Sequence, residues 1–158
     1  MPGTPGAILW LTPFRDKIDD IMEQVKCPVA VFVNRGYREG ALVSFVLGGM
    51  IDIFLLSHIS IMLQNGHSVR LFLFDTDDEE FCRCMNDLQA RYSGQITIVR
   101  FAGVEELVTR EKDGLLVMSH LSYTKLSEDE LVMRELSSLL VIRRNKNKGE
   151  KNERLEIG

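Results

Sequence analysis

Among the residues able to do chemistry, the pair Gly48-Gly49 followed by Asp52 comes first. Paired glycines between a strand and a helix let backbone N–H groups approach a phosphate, which a helix N-terminus then favours. A dinucleotide fingerprint needs G-x-G-x-x-G, and a P-loop needs G-x-x-x-x-G-K-[ST]. Here the glycines run into Met50-Ile51-Asp52-Ile53-Phe54, with no Lys, Ser or Thr to meet a phosphate. A tight structural turn is therefore the favoured reading, and a nucleotide or small-molecule pocket is the alternative. The polar stretch Ser122-Tyr123-Thr124-Lys125-Leu126-Ser127 is predicted as a loop at the carboxyl end of the sheet, where ligands of open α/β sheets dock. Gly48, Gly49, Asp52 and Ser122 are thus the candidate ligand-binding residues. Against them stands a plain surface loop in which Ser127 caps a helix beginning at Glu128.

Other groups carry weaker signals. The run Asp75-Thr76-Asp77-Asp78-Glu79-Glu80 has the carboxylates a hard cation wants but not the glycine and spacing of an EF-hand loop, so it reads as the start of a helix. His58, His67 and His120 are scattered, and only Ser57-His58 and Ser119-His120 put a hydroxyl beside an imidazole in sequence. No G-x-S-x-G turn accompanies them, His58 reads as a core or interface residue, and no catalytic constellation is present. Cys82 and Cys84 lie two apart on a predicted helix, so they point to different faces and do not share a tetrahedral metal. With Cys27 they read as free thiols of a reducing compartment, and no metal or cofactor is expected.

Stepping outward to the elements, residues 14–25 carry apolar side chains at helical spacing after a Pro- and Gly-rich start that reads as irregular. Residues 29–33 form a continuous β-branched and aromatic run, the mark of a strand buried on both faces. From residue 42 the pattern alternates: strand 42–47, helix 52–64 closed by Asn65-Gly66, strand 69–74, a helix with Phe81, Met85, Leu88 and Tyr92 on one face, strand 96–101, a short helix at 104–109, strand 115–118, helix 128–136 and strand 139–143. Strands separated by helices pair in parallel. The expected fold is therefore α/β, a doubly wound, mainly parallel five-stranded sheet with helices on both faces and one extra N-terminal strand. Its organisation reads as an N-terminal helix and strand over residues 1–40, closing a preceding half-domain, an α/β domain over 41–143, and a flexible polar tail over 144–158.

Composition narrows the partners. The chain has 158 residues, 45% hydrophobic and 27% charged, enough for one ordinary core. Its net charge is -4, and the tail from residue 144 holds five of the 19 cations and three of the 23 anions, which leaves 14 against 20 for residues 1–143. An acidic body of this kind does not suit nucleic acid. Residues 41–69 hold a single formal charge, at Asp52, but Gly48-Gly49 and Asp52 break the run below the roughly 20 apolar residues a spanning helix needs. With no basic stretch before an apolar one at its start, the chain reads as cytosolic. The apolar surface of residues 52–64, with Phe54, Leu55, Ile59 and Met62, exceeds what one sheet face needs and is a candidate interface.

These segments resemble a known family. Cys27-Pro28-Val29-Ala30-Val31-Phe32-Val33-Asn34-Arg35-Gly36 is similar to the "APCSVGILVDRG" element in the cytosolic C-terminal region of plant and fungal cation/proton exchangers, which carries tandem domains resembling universal stress proteins. Residues 43–74 are similar to the "fxGGxDDREAL" start of that family's second domain, with Ile53 and Phe54 where charged residues stand in the pattern. Asp113-Gly114-Leu115-Leu116-Val117-Met118, then Leu126-Ser127-Glu128 and Glu135-Leu136, follow the order of its "DLxIVGR…LSEWxExxELG" region. The resemblance implies the regulatory tail of a monovalent cation (potassium or sodium)/proton antiporter on the cytoplasmic side of a membrane, acting through association or ligand-linked change without catalysis. Its implied partners are a second copy or the remainder of the antiporter. The alternative is a free-standing nucleotide or small-molecule sensor of the universal stress protein type.

Overall fold

The structure is a computed structural model, and it describes residues 8–11 (backbone), 28–74, 78–108 and 112–144. Its elements are β1 (Ile8–Leu11), β2 (Val29–Val33), β3 (Val43–Leu47), a 3-10 helix (Met50–Leu55) leading into α1 (Leu56–Gln64), β4 (Val69–Phe74), α2 (Glu79–Arg91), β5 (Ile96–Phe101), a second 3-10 helix (Val104–Leu107), β6 (Leu115–Ser119), α3 (His120–Leu126), α4 (Glu130–Met133) and β7 (Ser138–Arg143). The strands form one sheet in the order β1-β2-β7-β6-β3-β4-β5. All neighbours pair in parallel except β2 with β7, which are antiparallel, with Val31 opposite Val141.

From β3 the chain steps outward through β4 to β5, then returns to the other side of β3 for β6 and β7. Side chains alternate across a strand, so each buried strand feeds two cores. On one face Phe45, Leu47, Leu71 and Leu73 pack with Leu55, Ile59 and Leu63 of the segment after β3 and with Phe81, Met85 and Leu88 of α2. On the other face Val46, Phe72, Phe101 and Met118 pack with Leu107, Tyr123, Met133 and Leu136, together with Val29, Val31 and Val33 of β2. The α/β class and the placement of helices on both faces thus match the expectation from alternation.

Local signals explain several boundaries. The Asp78 carboxylate accepts from the Phe81 N–H at 3.2 Å and caps α2, with Glu79 and Glu80 in the first turn, as the acidic run suggested. Gly66 takes φ 85 after α1, while the Gly66 and His67 N–H groups donate to the Leu63 and Met62 carbonyls, each at 3.0 Å. At the end of the sheet opposite the site described below, the Arg35 guanidinium donates to the carbonyls of Met133 at 2.6 Å and Leu136 at 3.1 Å. Partial burial lowers the pKa of that guanidinium, and the nearby Tyr123 opposes the shift.

Other expectations are corrected. The sheet has seven strands, because Ile8–Leu11 adds an edge strand where the Pro- and Gly-rich start read as irregular. Residues 52–64 are not one helix: the segment up to Leu55 is 3-10 and the α-helix begins at Leu56, with Leu55 and Ile59 buried on the sheet. Residues 122–127 are not a loop. Ser119 accepts from the Ser122 N–H at 3.1 Å and starts α3 at His120, and Tyr123, 1% exposed, anchors that helix in the core. Ser127 therefore lies at its C-terminal end, and Asp129, accepting from the Val132 N–H at 3.1 Å, caps the short α4. His58 is exposed, not in the core. The predicted helix 14–25, Cys27, Asp75 to Asp77 and the tail from residue 145 lie outside the described residues.

The turn after β5 gives a pH prediction. The Glu106 carboxylate accepts from the N–H groups of Ala102 at 2.6 Å and Gly103 at 2.9 Å, and these bonds hold its pKa below the ordinary value. A carboxylate depressed on folding stabilises the fold above its unfolded pKa and loses that contribution as pH falls through the folded value. Replacing Glu106→Gln should therefore lower the melting temperature at neutral pH, and the difference from the parent should vanish in acid, as read by thermal melts across a pH series.

Candidate functional site

The helical segments after β3 and β6 leave to opposite faces of the sheet, although the two strands are neighbours. This is the topological switch point of a doubly wound fold, where a crevice opens beyond the carboxyl ends of the strands. Gly48 ends β3 there, Ser119 ends β6, and the residue between them is Asp52.

Asp52 is 0% exposed. Its Oδ2 accepts from the Gly48 N–H at 2.6 Å and from the Ser122 hydroxyl at 2.6 Å, and its Oδ1 accepts from the Ser119 hydroxyl. Every one of these donors is neutral, so three hydrogen bonds offset the loss of water around a buried carboxylate. Ser119 serves twice, since its oxygen also receives the Ser122 N–H. The cluster binds the end of β3 to the end of β6 and the start of α3, and we refer to it as the clasp.

The local sequence makes the clasp attainable. Gly49 adopts φ 140 and ψ −162, a region that L side chains rarely enter, and this turn swings Asp52 back under Gly48. The Asp52 N–H then donates to the Gly49 carbonyl at 3.0 Å. Gly48 is needed for a different reason: a Cβ there would lie 3.1 Å from Ser122 Oγ and 3.2 Å from Asp52 Oδ2. The glycine pair is thus a structural turn, and the N–H that a phosphate would need is already donated to Asp52.

Beside the clasp, on the face of α3, lies a pocket of about 110 Å³. Val46, Phe74, Phe101, Leu121 and Leu126 give it apolar walls, Gly48, Ile51 and Ser122 border the clasp, and among the described residues Lys125 contributes the charged group of the lining. Phe74 and Phe101 meet edge to face, their ring centres 5.5 Å apart at 76°.

Three of the four candidate ligand residues, Gly48, Asp52 and Ser122, come together as hydrogen-bond partners, and Gly49 shapes the turn that joins them. Ser119 was missed as a site residue, because its neighbour His120 drew attention to the wrong partner. The available signal was its place at the end of a buried strand facing the glycine turn. The candidate interface divides: Leu55 and Ile59 are fully buried in this chain's own core, while Phe54 and Met62 are half-buried. The Phe54 ring is further covered by the Arg144 guanidinium, 5.0 Å from its centre. Neither Cys82 nor Cys84 is in a disulfide, and among the described residues no cluster of three or more His, Cys, Asp or Glu is placed to hold a metal ion.

Fold and crevice together define a doubly wound α/β domain whose switch point is closed by a buried carboxylate. No protein-family model, curated protein or solved structure matches the chain. Among the described residues no helix is long and apolar enough to cross a membrane.

The clasp makes a graded prediction. Asp52→Ala strands the Ser119 and Ser122 hydroxyls in the interior, releases the Gly48 N–H, and should cost about 3 kcal/mol of unfolding free energy. Ser119→Ala and Ser122→Ala should each cost roughly 1 to 2 kcal/mol, and the double variant should cost less than their sum, because both hydroxyls serve one carboxylate. Urea denaturation of the four variants reads these values, and a purely additive pair would show that the hydroxyls act independently.

Proposed function

We propose that this chain is a regulatory domain that binds a small ligand at the switch-point pocket and passes the binding event to a transport partner without catalysing a reaction. The observation that carries this reading is the commitment of Asp52: both carboxylate oxygens are taken by Gly48, Ser119 and Ser122, so the group best placed to act on a bound molecule is instead holding the fold together. A ligand in the pocket touches Gly48 and Ser122, two residues that the clasp joins. Occupancy is therefore coupled to the relative position of β3 and α3, the kind of differential contact by which a ligand shifts a conformational equilibrium.

The resemblance of residues 27–36, 43–74 and 113–136 to the cytosolic region of cation/proton exchangers supplies the setting: a regulatory domain of a monovalent cation/proton antiporter, at the cytoplasmic side of a membrane. The partner in this reading is the rest of the transporter rather than a second copy, because Leu55 and Ile59 are used up in the core. A nucleotide sensor is less well supported, since the Gly48 N–H is not free for a phosphate and a carboxylate lies behind it.

The test begins with the reading frame and ends with transport. Membrane-spanning segments should be encoded in the same frame as this chain, and Ser122→Ala in that protein should shift the cation or pH dependence of exchange in membrane vesicles without abolishing it. A frame with no such segments, or exchange unaltered by the substitution, overturns the antiporter reading.

A further inference from the structure

The pocket also indicates what class of ligand it takes, an inference that rests on the ligand-binding reading above. We propose that it accepts a small aliphatic monocarboxylate, the hydrocarbon end seated between Val46, Phe74, Phe101, Leu121 and Leu126 and the carboxylate at the mouth against the Lys125 ammonium.

Size sets the first limit. An apolar protein cavity of roughly 150 Å³ holds one benzene molecule. A space of about 110 Å³ takes a group of about four or five carbon atoms by the same measure, which is less than a nucleobase. Wall chemistry sets the second. The edge-to-face pair Phe74 and Phe101 and the aliphatic side chains facing it offer dispersion contacts, and the buried polar side chain of the described lining, Ser122, has its proton committed to Asp52. Exposure agrees: Ile51 at 48%, Phe74 at 40% and Leu121 at 46% are three of the six large apolar side chains exposed among the described residues, and all three line this pocket. A hydrocarbon group seated there removes that surface from water.

Charge sets the third limit. Among the described residues Lys125 is the charged residue of the lining, and it is exposed at the rim. Asp52 lies close by, but it is 0% exposed with its oxygens turned to Gly48, Ser119 and Ser122, so it does not face a bound cation. The Gly48 N–H and the Ser122 hydroxyl proton are likewise committed to Asp52. One ammonium then meets the ligand's anion. That suits a monocarboxylate and falls short of a phosphate, which is held by several converging donors.

Titration of the full chain, followed by amide signals of Gly48 and Ser122 in nuclear magnetic resonance, separates the possibilities with three probes: isovalerate, its neutral counterpart isoamyl alcohol, and ATP. Isovalerate should shift both signals saturably and bind more tightly than the alcohol. Lys125→Gln should weaken isovalerate about three-fold, the scale of a rim ion pair, and leave the alcohol unchanged. Leu121→Asp, a substitution at an exposed position, should weaken both and the carboxylate more. Equal affinity for acid and alcohol, a Lys125→Gln variant with an unchanged ratio, or saturable ATP binding at the same amides would overturn the ligand class while leaving a ligand pocket in place. No saturable response to any probe would overturn both the class and the binding function.

Discussion

A single buried carboxylate closes the switch point that the topology of this sheet leaves between β3 and β6. Strands β3 and β6 are hydrogen-bonded neighbours, yet the segments that follow them depart to opposite faces, so no helix spans the gap above their ends. Asp52 spans it instead, with the Gly48 N–H on one side and the hydroxyls of Ser119 and Ser122 on the other. Burying a carboxylate is unfavourable unless its hydrogen-bonding capacity is filled, and that requirement fixes the positions of all its partners at once. The unusual backbone of Gly49, the absence of a side chain at Gly48 and the start of α3 at His120 all follow from it.

The same constraint shapes what the crevice can do. In many α/β folds the glycine turn at the switch point donates N–H groups to a phosphate. Here the donor is directed inward to a carboxylate of the same chain. What is left for a ligand is the apolar shelf of Phe74, Phe101 and Leu121 with Lys125 at its edge, a surface suited to recognition by shape and hydrophobic contact. Because Gly48 and Ser122 belong both to that shelf and to the clasp, binding and the relative placement of β3 and α3 are one equilibrium.

The sequence made the architecture from β3 to β7 readable for a physical reason: parallel strands covered on both faces must be continuous apolar runs, and helices between them must show one apolar face. Local chemistry was equally visible at Asp78, where an acidic run meets a helix start, and at Gly66 after α1. The helix α3 was hidden because Ser122, Thr124, Lys125 and Ser127 give it a polar composition, while its anchor, Tyr123, owes its burial to strands far away in the chain. Apolar residues on more than one side of segment 52–64 suggested a partner surface. In the structure Leu55 and Ile59, four residues apart, share the face buried on the sheet. The clasp itself was only half legible. Gly48 and Asp52 are four residues apart, whereas Ser119 and Ser122 lie 67 and 70 residues from Asp52, and only the strand order brings them to it.

The most direct measurement of the central claim is the amide proton of Gly48. Gly48 is exposed at the crevice, so its protection from hydrogen exchange depends on the bond to Asp52 and not on burial. The clasp predicts a strongly downfield resonance, slow exchange with solvent, and loss of both in the Asp52→Ala variant. A Gly48 amide that exchanges in the parent protein as fast as an open loop would contradict the clasp, and with it the account of the crevice built on it.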